Sequence, residues 1–137
     1  VPRVAIFRCI EIKTTINKNH MTTQEVANRL VELWRQGKMF EAQQELYAAD
    51  VISIEPEGTP MPITKGLEAV TAKGKHFASN IIERHGGACG DPIIAGNYFS
   101  LTAFLDVTFK ERGRVQINEI CVYGVKDGKI ISEQFFY

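Results

Sequence analysis

From Asn97 to Tyr137 apolar and polar positions alternate with period 2, which predicts three consecutive strands over residues 97–110, 114–126 and 129–137. All three are rich in β-branched and aromatic side chains. Asp127-Gly128 between the last two is a strong hairpin signal, because a type I′ turn needs positive φ at both central residues. Arg112-Gly113 is a weaker version of the same signal. With both read as two-residue loops, counting sets Val125 opposite Ile130, Val122 opposite Glu133 and Ile120 opposite Phe135. It also sets Asp106 opposite Glu119 and Leu105 opposite Ile120. That register gathers Phe99, Leu101, Ala103, Leu105, Val107, Phe109, Ile120, Val122, Phe135 and Tyr137 on one core face, with Asn118 and Glu133 as polar intruders. The other face is mixed: Tyr98, Phe104, Cys121, Tyr123 and Phe136 stand there among Asp106, Glu119 and other polar residues.

An apolar sheet face needs a cover, and the upstream periodicity supplies helices. Thr22 or Thr23 is an N-cap, followed by Val26, Leu30, Leu33 and Trp34 at helical spacing and by Gly37 as the stop. A second helix is predicted over about Met39 to Ala48, and a third over Gly66 to Ser79 with Leu67, Val70, Thr71, Phe77 and Ala78 as its inward positions. Between them, Asp50 to Pro56 is a short strand stopped by proline, and Glu57 to Lys65 is a loop. Ile81 to His85 begins another strand, Gly86-Gly87 through Asp91-Pro92 is a break, and Ile93-Ile94 leads into the meander. The predicted fold class is α+β, with helices on one face of an antiparallel sheet. Residues 1–20 alternate well enough for a strand at a sheet edge but precede Met21, a natural start, and are read as an N-terminal extension to a domain over 21–137. They lack the basic start, apolar block and cleavage site of a signal peptide.

Composition narrows the function. Sixteen basic and sixteen acidic residues cancel, so nothing electrostatic favours nucleic acid or an anionic membrane. No apolar run approaches the ~20 residues of a spanning helix. Cys9, Cys89 and Cys121 are odd in number and widely spaced, which fits reduced thiols of a cytoplasmic protein. His20, His76 and His85 share no ligand spacing with them, so no metal is expected, and no cofactor motif appears. Trp34 and Tyr47 read as core packing and His76 as a surface or capping residue.

Three stretches carry a resemblance to a family. They are Leu46-Tyr47-Ala48-Ala49-Asp50 with Ile54-Glu55-Pro56, then Gly66-Leu67-Glu68-Ala69-Val70, then Lys126-Asp127-Gly128-Lys129-Ile130 with Glu133. In this order and spacing the chain resembles the SnoaL-like branch of the nuclear transport factor 2-like superfamily. The resemblance implies a strongly curved sheet wrapped into a cone, closed by three helices over a pocket. It also implies a homodimer through the convex sheet face. Here the pocket would be lined by Leu30, Trp34, Phe77, Leu105, Asn118, Ile120, Phe135 and Tyr137. Two functions stay open: a pocket that holds a small apolar ligand, or a cofactor-independent isomerase, cyclase or dehydratase.

The catalytic candidates are Glu55 and Glu133. Glu55 precedes a proline, as the general-base carboxylate does in the similar passage of ketosteroid isomerase. Burial against apolar walls raises a carboxylate pKa and suits it to proton transfer. Glu133 is an acid, a ligand anchor, or a rim residue reaching solvent. The oxyanion-binding tyrosine and aspartic acid of that isomerase map to Leu30 and near Ile120 or Cys121, so its donors are missing here. Arg84 and Asp106 suggest the Asp-Arg-Asp set of epoxide hydrolases, but Asp106 falls on the wrong face.

Overall fold

The structure, a computed structural model, describes residues 19–137; the strand expected near the N-terminus lies outside the described residues. Helix α1 (Thr23–Arg35) starts with a capping box: the Thr22 hydroxyl accepts from the Glu25 amide at 3.1 Å, and the Glu25 carboxylate accepts from the Thr22 amide at 3.3 Å. It ends where Gly37, at φ 71°, takes the left-handed conformation past the last turn. Helix α2 (Met39–Leu46) runs directly into strand β1 (Tyr47–Ile54). Part of the expected 57–65 loop is a strand, β2 (Ile63–Lys65), folded back antiparallel on β1. Then come α3 (Leu67–Ser79), β3 (Ile81–Cys89), β4 (Ile93–Ala95), β5 (Tyr98–Phe109), β6 (Gly113–Lys126) and β7 (Lys129–Phe136). Strand β3 passes through Gly86-Gly87, with register shifts at Ile81/Glu83 and Arg84/Gly86.

One strongly curved sheet of seven strands has the order β2-β1-β7-β6-β5-β3, with β4 beside β5. It is mixed, since β1 and β7 run parallel and every other pair is antiparallel. The parallel pair sets Ser53 beside Glu133. Val26, Leu30 and Leu33 of α1, Ala42 and Leu46 of α2 and Val70 of α3 form one core with Phe99, Leu101, Cys121 and Tyr123 of the sheet.

The predicted register holds only beside the Asp127-Gly128 turn, where Val125 faces Ile130 as expected and both turn residues have positive φ. A shift between Gly124 and Val125 then sets Tyr123 opposite Glu133 and Cys121 opposite Phe135, one residue from expectation. The β5–β6 loop has three residues, not two, because Phe109 pairs with Gly113 and Gly113 takes φ 74°. Asp106 therefore faces Gln116, Leu105 faces Ile117 and Ala103 faces Glu119, a slip of three. Odd slips exchange faces. On β6, Glu119, Cys121 and Tyr123 turn into the cone, and Asn118, Ile120 and Val122 turn out. The inward faces of β5 and β7 stay as predicted, because β6 carries both odd errors.

Candidate functional site

A cavity of about 570 Å³ lies between the helices and the sheet. Trp34, Met39, Val70, Phe77, Leu105 and Phe135 supply its apolar wall. Its polar lining includes Glu55, Lys73, Glu119 and Glu133, with Arg35, Arg84 and His85 also on the wall. Each polar group is placed by its element. Pro56 stops β1, so Glu55 stands just past the strand end, its amide donating to the Pro62 carbonyl at 2.8 Å. Lys73 lies between Val70 and Phe77 on the inward stripe of α3. Glu119 and Glu133 are inward residues of β6 and β7.

These groups are joined by hydrogen bonds. The Tyr137 hydroxyl donates to Glu55 Oε2 at 3.0 Å. Lys73 Nζ donates to Glu55 Oε1 at 2.9 Å and to Ser53 Oγ at 2.6 Å. Ser53 Oγ donates onward to Glu133 Oε1 at 2.8 Å, and the Tyr47 hydroxyl donates to Glu133 Oε2. Lys73 thus pairs directly with Glu55 and, through Ser53, offsets the charge of Glu133. Among the described residues Glu119 has no such partner; only the Cys121 thiol donates to it, at 3.7 Å.

Burial sets the electrostatics of these groups. It raises the Glu119 carboxyl to about 6, and the nearby charge of Glu55 adds to the rise. Burial also raises Glu133, against the lowering effect of the Tyr47 and Ser53 hydroxyls. Desolvation pushes up the thiol of Cys121 and the hydroxyls of Tyr47 and Tyr123, which stay neutral. Tyr137 is pushed up to about 12, by burial first and by the Glu55 carboxylate second.

Of the residues expected around a pocket, Glu55, Glu133, Trp34, Phe77, Leu105 and Phe135 line the cavity. Tyr137 reaches it only through its bond to Glu55. Leu30 is a correction: it is 1% exposed, packed in the core and not on the cavity wall. Asn118 and Ile120 are corrections too, since the three-residue slip puts both on the outer face. Asp106 lies on the outer face as expected and is held by Arg114, not Arg84. His76 is exposed in the last turn of α3.

Lys73, Ser53, Tyr47 and Glu119 are site residues that the sequence pattern does not single out. A lysine on the apolar stripe Val70–Phe77 is a readable signal for the first. Glu119 requires the correct β5–β6 loop. Among the described residues no three His, Cys, Asp or Glu side chains form a metal-ligand group, and no helix is long and apolar enough to cross a membrane.

Comparison with known proteins agrees with this architecture. The SnoaL-like domain family matches residues 21–137. A structure from Mesorhizobium loti, of a protein named as a SnoaL-like polyketide cyclase, is 38% identical, with a TM-score of 0.81 over 85% of this chain and 100% of that one. A nuclear transport factor 2-like protein of unknown function from Burkholderia pseudomallei is 16% identical, with a TM-score of 0.70 over 85% of this chain and 92% of that one. A protein with a ketosteroid isomerase-like fold from Catenulispora acidiphila, in complex with trimethylamine, is 17% identical, with a TM-score of 0.65 over 85% of this chain and 87% of that one. The last two share the fold alone. No functionally curated protein matches the chain.

Proposed function

The chain belongs to the SnoaL-like domain family, and on that premise we propose that it binds a small, largely apolar molecule inside the cone. The observation that carries this reading is the 570 Å³ cavity itself, within the ~300–1,000 Å³ typical of ligand sites and walled by Trp34, Phe77, Leu105 and Phe135. The working unit is a homodimer joined through the outer sheet face. Ile120 and Phe136 are cross-strand neighbours there, 51% and 49% exposed, and Tyr98 on the same face is 59% exposed. They take the place of Cys121 and Tyr123, which turn inward. Free, buried Cys89 and Cys121 fit a reducing compartment such as the cytoplasm.

The convergence of Glu55, Glu119, Glu133 and Lys73 favours a second reading, a cofactor-independent isomerase, cyclase or dehydratase. On it, Glu55 and Glu133 exchange protons with the bound molecule, and Glu55→Gln abolishes turnover without unfolding the chain.

Trp34 is the chain's one tryptophan and lines the cavity, so its indole N–H is a local probe. Titration with nitrobenzene is expected to shift that NMR signal saturably in the native chain. In Leu105→Trp, whose added indole fills the space, the shift should disappear. Sedimentation should show a dimer that Ile120→Asp dissociates. A native chain whose Trp34 signal never saturates would remove the ligand-pocket reading, and a native monomer would remove the dimer.

A further inference from the structure

Helix α3 changes character at its middle. In its first half Val70 and Thr71 are 1% and 8% exposed, and Lys73 is bonded to Ser53 and Glu55. From Lys75 to Ser79 every residue is exposed. Phe77 and Ala78 of that half nevertheless line the cavity, so the last turn of α3 is one side of its mouth. Exposed Gly37, between α1 and α2, lines the same cavity from another element.

The exposed half is held by contacts that solvent reaches. Phe77, 39% exposed, meets the Phe109 ring edge-on with centroids 5.5 Å apart. Lys75 Nζ lies 4.3 Å from the centroid of Phe40, a ring that is itself 46% exposed. The Lys110 amide donates to the Asn80 carbonyl at 2.9 Å, and the Ser79 and Asn80 side chains donate to the His76 carbonyl within the same turn. Contacts of this kind open at far lower free energy than a buried core does. The two halves meet at Gly74. A helix interior disfavours glycine more than any residue but proline, so Gly74 makes it easier to end the helix there. Space does not demand a glycine: an added Cβ would meet only the Gln43 side chain, no nearer than 3.4 Å.

We propose that the end of α3 from Lys75 to Asn80 is a gate to the cavity, which opens by unwinding as far as Gly74 and carries Phe77 out of the mouth. What passes the gate rests on the ligand-pocket reading; the motion rests on the helix alone. Val70 and Lys73 anchor the first half, so opening leaves the bond between Lys73 and Glu55 in place. A molecule inside must leave by the way it entered. The gate therefore sets the rates of entry and exit together, and not the affinity.

Hydrogen exchange and nitrobenzene kinetics test this on the full chain. Without ligand, the amides of His76 to Ser79, corrected for intrinsic rate, are expected to exchange at least ~10-fold faster than those of Thr71 to Lys73. Gly74→Ala should slow the faster set ~4–5-fold, the preference of a helix interior for alanine over glycine. Line shapes of the Trp34 indole signal give the association and dissociation rates of nitrobenzene. Both should fall by the same ~4–5-fold in Gly74→Ala, with affinity changed less than ~2-fold. Ala69→Gly, in the anchored half, weakens the helix by a similar amount and should leave the nitrobenzene rates as they are, which separates a gate from general loosening. Equal exchange in the two halves, or nitrobenzene rates that ignore Gly74→Ala, overturns the gate. An affinity change with an unchanged dissociation rate overturns it too, because the alanine would then be acting as part of the wall. Failure of nitrobenzene to bind removes the pocket reading, and with it anything for the gate to admit. The exchange contrast, measured without ligand, shows which of the two has failed.

Discussion

The two faces of the β5–β6–β7 sheet are built by neighbouring residues of the same strands and use them in opposite ways. Inside, Phe99 stacks on Tyr123 with ring centroids 4.7 Å apart and planes 17° from parallel, and Leu101 sits opposite Cys121. Outside, Tyr98, Ile120 and Phe136 remain about half exposed. The carboxylates differ as sharply. Outer Asp106 accepts two hydrogen bonds from Arg114, at 2.9 and 2.8 Å, and a third from Gln116 at 3.4 Å. That guanidinium draws Asp106 down to about 2. Inner Glu119 is bonded to no cation among the described residues, and burial raises it to about 6. The outer carboxylate is matched to a full set of donors supplied by the protein, as a structural cross-strand pair should be. Inside, Glu55, Glu119 and Glu133 line one cavity with Lys73, Arg35 and Arg84, yet among the described residues only Glu55 is paired with one of these cations.

The largest expected effect separates the two faces at adjacent residues. Phe99 is 1% exposed, and Phe99→Ala should cost about 3–5 kcal/mol, the loss of a buried ring plus the cavity left behind. Tyr98→Ala, on the solvent side, should cost no more than about 0.5 kcal/mol in the isolated protomer. Urea unfolding of both variants measures the contrast. Similar losses at both sites, independent of protein concentration, would break the distinction between faces. A Tyr98→Ala loss that appears only at high concentration would sharpen it, since the outer ring would then be covered by a partner copy.

This division of faces is largely legible in the residue pattern, and where the pattern fails it fails locally. The N-cap of α1, the Pro56 stop, the Asp127-Gly128 turn and the alternation of β5 are all governed by near neighbours, and they fall as read. What escapes is loop length. Gly113 serves a three-residue loop at φ 74°, and one additional residue in that count decides whether Glu119 or Ile120 faces the ligand. The burial pattern of β6 carries the answer, with Cys121, Tyr123 and Val125 buried. Its sequence does not, because Ile117, Ile120 and Val122 are as apolar as the residues beside them. Lys73 escapes for another reason. A lysine on a helix is normally solvated, and only its acceptors Ser53 and Glu55, about twenty positions earlier, hold it inside.

A second contrast concerns hydrogen-bond donors. Tyr47 is 3% exposed and its hydroxyl serves a carboxylate that is itself 4% exposed. Tyr47→Phe leaves that oxygen of Glu133 without its donor in a buried site, which should cost about 1.5–3 kcal/mol. On the outer face Gln116→Ala removes one 3.4 Å bond from an Asp106 that keeps Arg114, and the change should stay within about 0.5 kcal/mol. Chemical denaturation decides between them. A neutral Tyr47→Phe would mean that Glu133 is protonated in the folded chain and has no need of the hydroxyl.

The smallest expected effect is a pH dependence whose sign differs between the faces. Glu119 in the folded chain titrates at about 6, above its ordinary 4.5, so between these values the folded state holds a proton that the unfolded state has released. Stability therefore falls as pH rises through that window. The amount is on the order of 1 kcal/mol once residual solvent screening of a partly exposed group is allowed for. Asp106 behaves oppositely: its folded value of about 2 lies below the ordinary 3.8, so its contribution is complete above about 4 and is lost as pH falls toward 2. Glu133 is raised in the same direction as Glu119, so the pH profile of the native chain mixes the two. Glu119→Gln separates them. Unfolding free energies at pH 4.5 and pH 7 should show the native chain losing more on going to pH 7 than the variant does, with the difference assignable to Glu119. Parallel profiles would mean that the carboxylate is solvated or paired in solution. Glu119 would then join Glu55 and Glu133, whose oxygens are already held by donors of the protein.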